Sequence, residues 1–445
     1  MESTEIRTSQ AARYTGSHVK LSGHVHALRH LGNLSFIVLR DRSGTIQIVV
    51  EDANLLQLVA TLSPETAISV SGHLVENPRL PGSVELSLSK LELLCTPTAP
   101  LPVEIYKDKK METLTLASML DYRPLTLRAE KVRSIFKIEA VLCSAFREFL
   151  NAESFVEIHS PKIVSTGTEG GAQLFNVDYF GRTAYLAQSP QFYKQIMVGV
   201  FERVYEIGPV YRAEQHDTSR HLNEYVSMDF EMGFIKNEQD VISMQIKLLK
   251  HMFQRLKEVC SAELAAHNSI VPEIANIPQI TLQEAAQLLT SRLGWKPVST
   301  AGEPITLEAV EDLDPEGERL LCQYFGQTQR SELVYVTQYP LAVRPFYAMP
   351  LEGTPLSRSF DLLFRGSEIT TGGQRIHECP QLIASIEGSG LAAESFADYL
   401  QCFRYGMPPH GGLAIGLERL TKQLLGLPNI KLASLFPRDR NRISP

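Results

Sequence analysis

The stretch Gly411–Gly426 reads "GGLAIGLERLTKQLLG", and it changes from a glycine-rich strand pattern to a helical pattern with no loop between them. Glu418 and Arg419 lie where the pattern changes. Glycines at such a position let a flat ligand lie close to the backbone. The run "GLAIG" lacks the strand–turn–helix context of a dinucleotide fingerprint, and no G-x-x-x-x-G-K-[ST] motif occurs, which excludes a P-loop. The stretch therefore predicts a ligand site of another kind.

The preceding stretch, Ser359–Glu378, places several polar side chains around a Gly-Gly turn. Its sequence, "SFDLLFRGSEITTGGQRIHE", contains Asp361, Glu368, Thr371 and Arg375. A carboxylate with a hydroxyl nearby can hold Mg²⁺ among phosphate oxygens, because this cation prefers oxygen ligands. We therefore predict a metal site at Glu368 and Thr371.

A third stretch, Gln188–Glu214, joins an apolar helix to an alternating strand. Its pattern predicts Lys194 in the first turn of the helix, and Arg212 and Glu214 at the end of the strand. A lone helix lysine usually extends its charge to solvent, and an isolated Arg-x-Glu is usually a surface ion pair. The other polar stretches favour a binding site instead.

Arg220, His221 and Glu224 follow, ahead of another alternating strand. Arginines on rigid elements can hold a polyphosphate, and Lys194 with Arg375 can pair with a small carboxylate. The combined pattern predicts a site for a polyphosphate, a divalent cation and a small acid.

The first hundred residues contain five short alternating runs separated by glycine, asparagine and proline turns. Five strands over this length are typical of a small closed barrel such as the OB-fold. Another small β-barrel without a ligand is the alternative. The proline-rich segment Cys95–Pro102 predicts the end of this domain.

Beyond the linker, a long helical pattern precedes a strand that is broken by Pro161. A later region mixes amphipathic helices with loops, and we predict it to be an insertion. The predicted organisation is a barrel at 1–98, a hinge at 99–130, and a second domain at 131–445 with the insertion at about 236–340.

The composition, 44% apolar and 21% charged, is that of an ordinary globular protein. No apolar run reaches the length of a membrane span, and the N-terminus lacks the apolar core of a signal peptide, so we predict a cytoplasmic protein. The six cysteines include no C-x-x-C pair, so zinc and disulfides are not expected. A net charge of −7 argues against a general nucleic-acid coat, although a local basic surface can still bind RNA.

Together these stretches resemble the signature motifs of class II aminoacyl-tRNA synthetases, and most closely those of the archaeal type of aspartyl-tRNA synthetase. The long helix with "FVEIHSPKIV" resembles motif 1, "RVYEIGPVYRAEQHDTSRHLNEYVSMDFEM" resembles motif 2, and "FRYGMPPHGGLAIGLERL" resembles motif 3. The segments "QSPQFYKQ", "TEGG" and "FPRDRNRISP" are similar to the same family. The resemblance covers essentially the whole chain, and the order of the motifs makes coincidence remote.

This resemblance implies a fold and an activity. The fold is α+β, with an N-terminal OB-fold that binds the anticodon and a class II catalytic domain whose mainly antiparallel sheet is flanked by helices. The activity is activation of L-aspartate by ATP, with Mg²⁺, to aspartyl-adenylate, and its transfer to tRNA(Asp). Motif 1 implies a homodimer, because it forms a two-fold interface in this family.

The resemblance also implies roles for individual residues. Those for aspartate are Glu169, Gln191, Lys194, Arg212, Thr371 and Arg375. Those for ATP are Arg212, Glu214, Arg220, His221, Leu222, Glu368, Gly416 and Arg419. The catalytic residues are Arg212, Glu368 and Arg419, and the metal ligands are Glu368 and Thr371. The anticodon contacts are Phe36, Gln47 and Glu85.

Two positions bear on the choice of tRNA. His26 and, by alignment, Pro81 stand where strictly tRNA(Asp)-specific relatives have Trp and Lys. The absence of that Trp and Lys implies weaker discrimination at the third anticodon base, so that tRNA(Asn) is charged as well. A tRNA-dependent amidotransferase would then be needed to convert the Asp-tRNA(Asn). Each of these residues also has a purely structural interpretation: His26 as a half-exposed strand residue and Pro81 as a turn proline. For Phe36, the structural alternative is an aromatic residue in the barrel core.

Lys194 favours aspartate over asparagine, because a neutral amide gains nothing from a cationic partner. The alternatives are a strictly tRNA(Asp)-specific enzyme, an asparaginyl-tRNA synthetase, a catalytically silent RNA-binding paralogue, and an AMP-forming amide synthetase that makes asparagine. The barrel domain argues against the last of these. A silent paralogue would require a broken motif, and the key side chains are intact: Arg212, Glu368, Arg375 and Arg419.

Overall fold

The computed structural model separates into two compact units, 1–129 and 130–445. Each unit has its own apolar core. No helix in the part of the chain that the structure describes is long and apolar enough to cross a membrane. The described residues are 4–77, 79–168, 174–215, 217–299 and 302–445.

The first unit is built mainly from β-strands. Its strands are β1 Thr4–Glu5, β2 His18–Leu31, β3 Leu34–Arg40, β4 Thr45–Val50, β5 Ala67–Glu76 and β6 Val84–Cys95. Its helices are α1 Ala53–Val59, α2 Asp108–Met111, α3 Leu116–Asp121 and α4 Arg123–Thr126, with a 3₁₀ turn at Thr8–Tyr14.

Strands β2 to β6 close into a barrel, since β5 pairs back to β2 at the end of the order β1-β2-β3-β4-β6-β5. The alternation of side chains decides which face is inside. In β3, Ile37 and Leu39 are wholly buried in the core, whereas Phe36 and Val38 lie on the other face. The closed barrel confirms the predicted OB-fold.

The second unit combines strands and helices. Its strands are β7 Val156–Glu157, β8 Ile163–Val164, β9 Asn176–Tyr179, β10 Arg182–Leu186, β11 Arg203–Tyr211, β12 Glu224–Gly233, β13 Gln279–Thr281, β14 Leu333–Thr337, β15 Ser359–Phe364, β16 Ser367–Arg375 and β17 His410–Gly416. Its helices are α5 Glu130–Ala152, α6 Gln191–Phe201, α7 Glu238–Val259, α8 Ser261–Ala266, α9 Leu282–Leu293, α10 Pro315–Gln329, α11 Cys379–Gly388, α12 Ala397–Arg404 and α13 Leu417–Leu425. Short 3₁₀ turns lie at Leu307–Ala309, Leu341–Val343, Ala393–Phe396 and Ile430–Ala433.

The main sheet of this unit has the order β13-β14-β15-β16-β17-β12-β11-β7 within the described ranges. The inner strands of this sheet pair antiparallel. Among its eight described strands, only the short edge strands β13 and β7 pair in parallel with their neighbours. Helices α5, α7 and α13 pack together with β12, β15 and β17 in the largest core. This architecture confirms the predicted mainly antiparallel sheet flanked by helices.

The region that was predicted as an insertion, 236–340, contributes to both layers. It supplies α7 to the main core and β14 to the sheet, while α9 and α10 pack in a second core against β14. Pro161 separates β7 from β8, and β17 passes into α13 without a loop, as the sequence predicts. The strand β11 ends at Tyr211, however, so the prediction that Arg212 and Glu214 lie on it is wrong, and both follow the strand.

Gly412 in β17 has no room for a side chain, because a Cβ there would collide with the carbonyl oxygen of Phe230 and the carboxylate of Glu231. We expect Gly412→Ala to lower the free energy of unfolding by about 3 kcal/mol, since the sheet must distort to accept it. A Cβ at Gly388, in α11, meets no atom within 4 Å. Gly388→Ala should therefore change the free energy by less than about 0.5 kcal/mol. Chemical denaturation measures both, and equal effects would contradict the packing argument.

Candidate active site

A cavity of about 490 Å³ lies in the second unit. Its walls come from α6, the segment after β11, strands β12, β16 and β17, and the start of α13. Because β16, β17 and β12 are neighbours in the sheet, their side chains reach the cavity from one surface. The cavity therefore joins stretches that are far apart in the sequence.

All but one of the residues predicted to bind aspartate or ATP line this cavity. The exception belongs to a segment that the structure does not describe. The predicted aspartate-binding residues that line it are Gln191, Lys194, Arg212, Thr371 and Arg375. The remaining ATP-binding residues that line it are Glu214, Arg220, His221, Leu222, Glu368, Gly416 and Arg419. Glu169, on the "TEGG" segment, lies outside the residues that the structure describes.

Lys194 lies in the first turn of α6 with a side chain only 2% exposed. Its Nζ donates to Oδ1 of Asp229 at 3.0 Å and to the carbonyl oxygen of Leu413 at 3.1 Å. Oε2 of Glu231 lies 3.3 Å away. The lysine is therefore a buried, multiply paired cation and does not extend its charge to solvent.

Arg375 reaches the same carboxylate from β16. Its Nε donates to Oε1 of Glu231 at 3.0 Å, and its NH2 donates to the carbonyl oxygen of Gly412 at 3.0 Å. Burial raises the pKa of the Glu231 carboxyl, but the charges of Arg375 and Lys194 outweigh it and hold the pKa below its usual value. Glu231 is thus an ionised anchor shared by two cations.

His410 pairs with Arg375 across β16 and β17 and belongs to a buried chain of hydrogen bonds. The Tyr399 hydroxyl donates to Oε1 of Gln195 at 3.0 Å, and Nε2 of Gln195 donates to Nε2 of His410 at 2.8 Å. Nδ1 of His410 donates to the carbonyl oxygen of Pro408 at 2.9 Å. Burial lowers the pKa of His410 to about 4, so the imidazole is neutral at pH 7.

Glu368, Thr371 and Arg419 form a second compact group in the cavity lining. Thr371 Oγ1 donates to Oε1 of Glu368 at 2.8 Å, while NH1 of Arg419 lies 3.3 Å from Oε2. Burial raises the pKa of Glu368, but the charge of Arg419 and the hydrogen bond from Thr371 lower it below its usual value. The group therefore presents an ionised carboxylate beside a hydroxyl.

The segment after β11 is held by Asn223. Its Nδ2 donates to the carbonyl oxygens of Arg212 at 2.7 Å and Glu214 at 3.0 Å. The Arg212 guanidinium lies 5.9 Å from the centre of the Tyr225 ring, within reach of a cation–π contact. These contacts fix the backbone that carries the predicted Arg-x-Glu pair.

Asp229, Glu231 and Arg344 were not predicted from the sequence to be site residues, and Asp361 was noted there without a role. Asp229 and Glu231 alternate on β12 with apolar residues, and Arg344 donates to Oδ2 of Asp361 at 2.7 Å while it stacks on Tyr339. The sequence signal for Asp229 and Glu231 was the alternation of acidic and apolar residues along β12. Buried acids of this kind require cationic partners, which Lys194 and Arg375 supply.

In the first unit, the predicted anticodon residues share one surface of the barrel. Phe36 lies on the outer face of β3, so the barrel-core alternative is wrong for it. Gln47 on β4 pairs in register with Glu85 on β6, and its Nε2 donates to Oε2 of Glu85 at 2.8 Å. An aromatic ring and a polar pair thus lie on adjacent strands.

His26 occupies a β-bulge between Val25 and Ala27, where β2 has one residue more than β3. Bulges of this kind redirect a side chain. Nδ1 of His26 lies 3.3 Å from NH1 of Arg40, which makes it the acceptor of that contact. Pro81 is exposed in the turn between β5 and β6.

Comparison with known families agrees with this geometry. The family described as tRNA synthetases class II (D, K and N) matches residues 116–440, and the OB-fold nucleic acid binding domain matches residues 19–94. The chain therefore belongs to the class II aminoacyl-tRNA synthetases, in the group for aspartate, lysine and asparagine. The resemblance predicted from the motifs is confirmed.

Individual relatives extend over the full chain. The sequence is 48% identical to the aspartate–tRNA(Asp/Asn) ligase of Deinococcus radiodurans, over 98% of each chain. It is 47% identical to the protein of the same name in Thermus thermophilus, over 97% of this chain and 98% of that one. Among solved structures, the asparaginyl-tRNA synthetase of Pyrococcus horikoshii complexed with asparaginyl-adenylate superposes with a TM-score of 0.90 at 28% identity, over 99% of each chain.

The buried His410 predicts a pH dependence of stability. An unfolded histidine titrates near 6.5, whereas the pKa of His410 in the folded protein is about 4. As pH falls below 6.5 the unfolded state binds a proton that the folded state does not, so stability is lost toward pH 4. Between about pH 7 and about pH 5, this difference in protonation lowers the free energy of unfolding by roughly 2 kcal/mol.

His410→Gln keeps an acceptor for Gln195 but has no ionisable group. We expect the unfolding free energy of this variant to fall less between about pH 7 and about pH 5 than that of the unaltered protein. Denaturant titrations at several pH values measure the difference. Parallel curves for the two proteins would show that His410 does not contribute.

Proposed function

We propose that this chain is an aspartyl-tRNA synthetase that activates L-aspartate with ATP and charges both tRNA(Asp) and tRNA(Asn). One observation carries the proposal: the buried cations Lys194 and Arg375 line the same cavity as Arg212, Arg220 and Arg419. Buried cations suit a small acid, and arginines suit a polyphosphate. The full-length relatives named aspartate–tRNA(Asp/Asn) ligase support the same activity.

The aspartate pocket is proposed to lie around Gln191, Lys194 and Arg375. Nε2 of Gln191 is buried and has no hydrogen-bond partner among the described residues. Arg375 uses Nε and NH2 for its contacts with Glu231 and Gly412, which leaves NH1 for a ligand. Buried donors need acceptors, and a carboxylate supplies them. Glu169 is proposed to face the amino group of the substrate.

The same charges favour aspartate over asparagine. An aspartate side chain brings two acceptor oxygens and a negative charge to Lys194, whereas an amide brings a donor group and no charge. Selection therefore comes from unfavourable contacts with the amide as well as from favourable ones with the acid.

The first half-reaction needs no general base, because the attacking α-carboxylate is ionised at neutral pH. Its oxygen attacks the α-phosphorus, the bond to the bridging oxygen breaks, and pyrophosphate leaves. We assign Arg212 to the α-phosphate, where charge accumulates, and Arg419 to the terminal part of ATP or its adenine. Such fixed charges stabilise an in-line transition state without reorganisation. The side chains and backbone proposed to place the rest of ATP are Glu214, Arg220, His221, Leu222 and Gly416.

Glu368 and Thr371 have the donor set for Mg²⁺. The Thr371 hydroxyl donates to Oε1 of Glu368 at 2.8 Å, and both residues line the cavity, so a carboxylate and a hydroxyl oxygen lie side by side there. Class II synthetases use ATP and typically Mg²⁺. We propose that these two residues hold the cation, which when bound neutralises phosphate charge.

The second half-reaction transfers the aspartyl group to the terminal ribose of tRNA. We propose that Phe36 stacks on an anticodon base and that Gln47 and Glu85 bind base edges, since single-stranded RNA is recognised by such contacts. His26 and Pro81 are proposed to leave the third anticodon base weakly discriminated. A tRNA-dependent amidotransferase would then convert the Asp-tRNA(Asn).

A homodimer is also part of the proposal. The edge strand β7 and the adjoining β8 flank Pro161 in motif 1, and both Val156 and Ile163 are exposed there. Exposed apolar residues on a sheet edge are suited to a two-fold interface.

Removal of the buried lysine tests the amino-acid assignment. We expect Lys194→Leu to lower aspartate-dependent exchange of pyrophosphate into ATP by at least about a hundredfold, because a desolvated charge partner is lost. ATP binding, measured by calorimetry, should stay within about twofold and shows that the variant is folded. Lys250→Leu, on the exposed face of α7, is the matched control. Unchanged exchange activity in Lys194→Leu would contradict the assignment.

Charging of purified tRNA(Asp) and tRNA(Asn) with labelled aspartate tests the choice of tRNA. We expect comparable charging of both, and a loss of about tenfold on tRNA(Asn) alone in the double variant His26→Trp, Pro81→Lys. Leu80→Lys adds the same charge one residue away and is the control. An equal loss on both tRNAs would refute these roles, and charging of tRNA(Asp) alone by the unaltered protein would show strict specificity.

A further inference from the structure

Arg220 lies in the segment between β11 and β12, which has no regular secondary structure around it. Its guanidinium is nevertheless held at two points. NH2 donates to Oε2 of Glu318 and, at 2.9 Å, to Oγ of Ser367. Glu318 is 98 residues away in the sequence, so this contact depends on the tertiary fold.

Glu318 belongs to a rigid element. It lies in the first turn of α10, where Oδ1 of Asp314 accepts from the backbone N–H of Gly317 at 2.7 Å and from Nε1 of Trp295 at 2.9 Å. The apolar side of the same helix is buried in its own core through Leu321. The carboxylate is therefore carried by a capped and packed helix.

Arg220 lines the cavity, whereas Glu318 is buried and does not. The acid thus holds the arginine without being part of the cavity lining. Both contacts of the guanidinium use NH2, and among the described residues Nε and NH1 have no partner. Two donor groups of this arginine are accordingly left for an anion.

Further cations lie near Arg220, and their charges act on one another. Burial, together with the charges of Arg220 and Arg419, lowers the pKa of Lys422. Like charges in one place repel one another and favour the binding of an anion. An acid that holds one of them without entering the cavity reduces the cost of keeping them together.

We propose that Glu318, from the region between α7 and β14, is a positioning residue that holds Arg220 in place for the phosphates of ATP. The inference rests on the proposed function, because ATP is the anion concerned. The region predicted as an insertion would then take part in nucleotide binding through this one contact. Burial and the nearby charge of Glu368 raise the pKa of Glu318 to about 7, and the charge of Arg220 opposes this rise.

The test compares Glu318→Ala with Glu318→Gln, which keeps an acceptor oxygen and nearly the same volume. Calorimetry measures the Kd for ATP–Mg²⁺ without amino acid, and pyrophosphate exchange measures KM for ATP and for aspartate separately. We expect Glu318→Ala to weaken ATP by about tenfold and Glu318→Gln by less, with KM for aspartate within about twofold. Glu316→Gln, an exposed acid on the same helix that pairs with Arg319, should change none of these.

A double-variant comparison separates positioning from general support of the fold. If Glu318 acts through Arg220, adding Glu318→Ala to Arg220→Ala should weaken ATP no further. Additive losses, unchanged ATP affinity in Glu318→Ala and Glu318→Gln, or equal increases in both KM values would overturn the inference. Absence of aspartate-dependent exchange in the unaltered protein would instead refute the proposed function, and the ATP affinities of the variants would still decide the role of Glu318.

Discussion

Glu231 is wholly buried in β12, and its carboxylate lies between the side chains of Lys194 and Arg375. A buried charge that loses its partners costs on the order of several kcal/mol. The positions of Lys194 on α6 and Arg375 on β16 are therefore tied to a single acid. Three elements that are distant in the sequence are fixed around one end of the cavity, and the absence of a side chain at Gly412 provides the space that this arrangement needs.

The cavity has two kinds of electrostatic environment. Around Glu231, two buried carboxylates hold two buried cations in place, and both cations also line the cavity, so this part can select a ligand by charge and by the direction of its hydrogen bonds. Elsewhere in the lining, Arg220 and Arg419 are each paired with one glutamate, Glu318 and Glu368, and both arginines can still meet the negative charge of a ligand. A small zwitterionic acid suits the first environment, and a polyphosphate suits the second. Reaction between the two ligands then requires only that both are bound.

The features that depend on short-range pattern could be predicted from the sequence, including the passage of β17 into α13 and the five-stranded barrel. The roles of Asp229 and Glu231 could not. Acids that alternate with apolar residues are typical of a strand with one face in water, and only the packing of α6 over that face buries them. Glu318 gives no local signal either, because its partner Arg220 is reached only through the fold.

Side-chain direction in the barrel shows a second limit. Alternation predicts that neighbouring residues face opposite sides but not which side is inside, so the position of Phe36 required the closed barrel, whose core holds Ile37 and Leu39. At His26 the alternation itself is interrupted by a bulge, and the imidazole contacts Arg40, whose guanidinium is held by Glu65.

Both units share one arrangement, in which a buried or nearly buried glutamate holds an arginine beside a proposed ligand site. Because a long side chain loses rotamer freedom when it binds, holding it in advance lowers the entropic cost of binding. The arrangement recurs in three pairs: Glu65 with Arg40, Glu231 with Arg375, and Glu318 with Arg220.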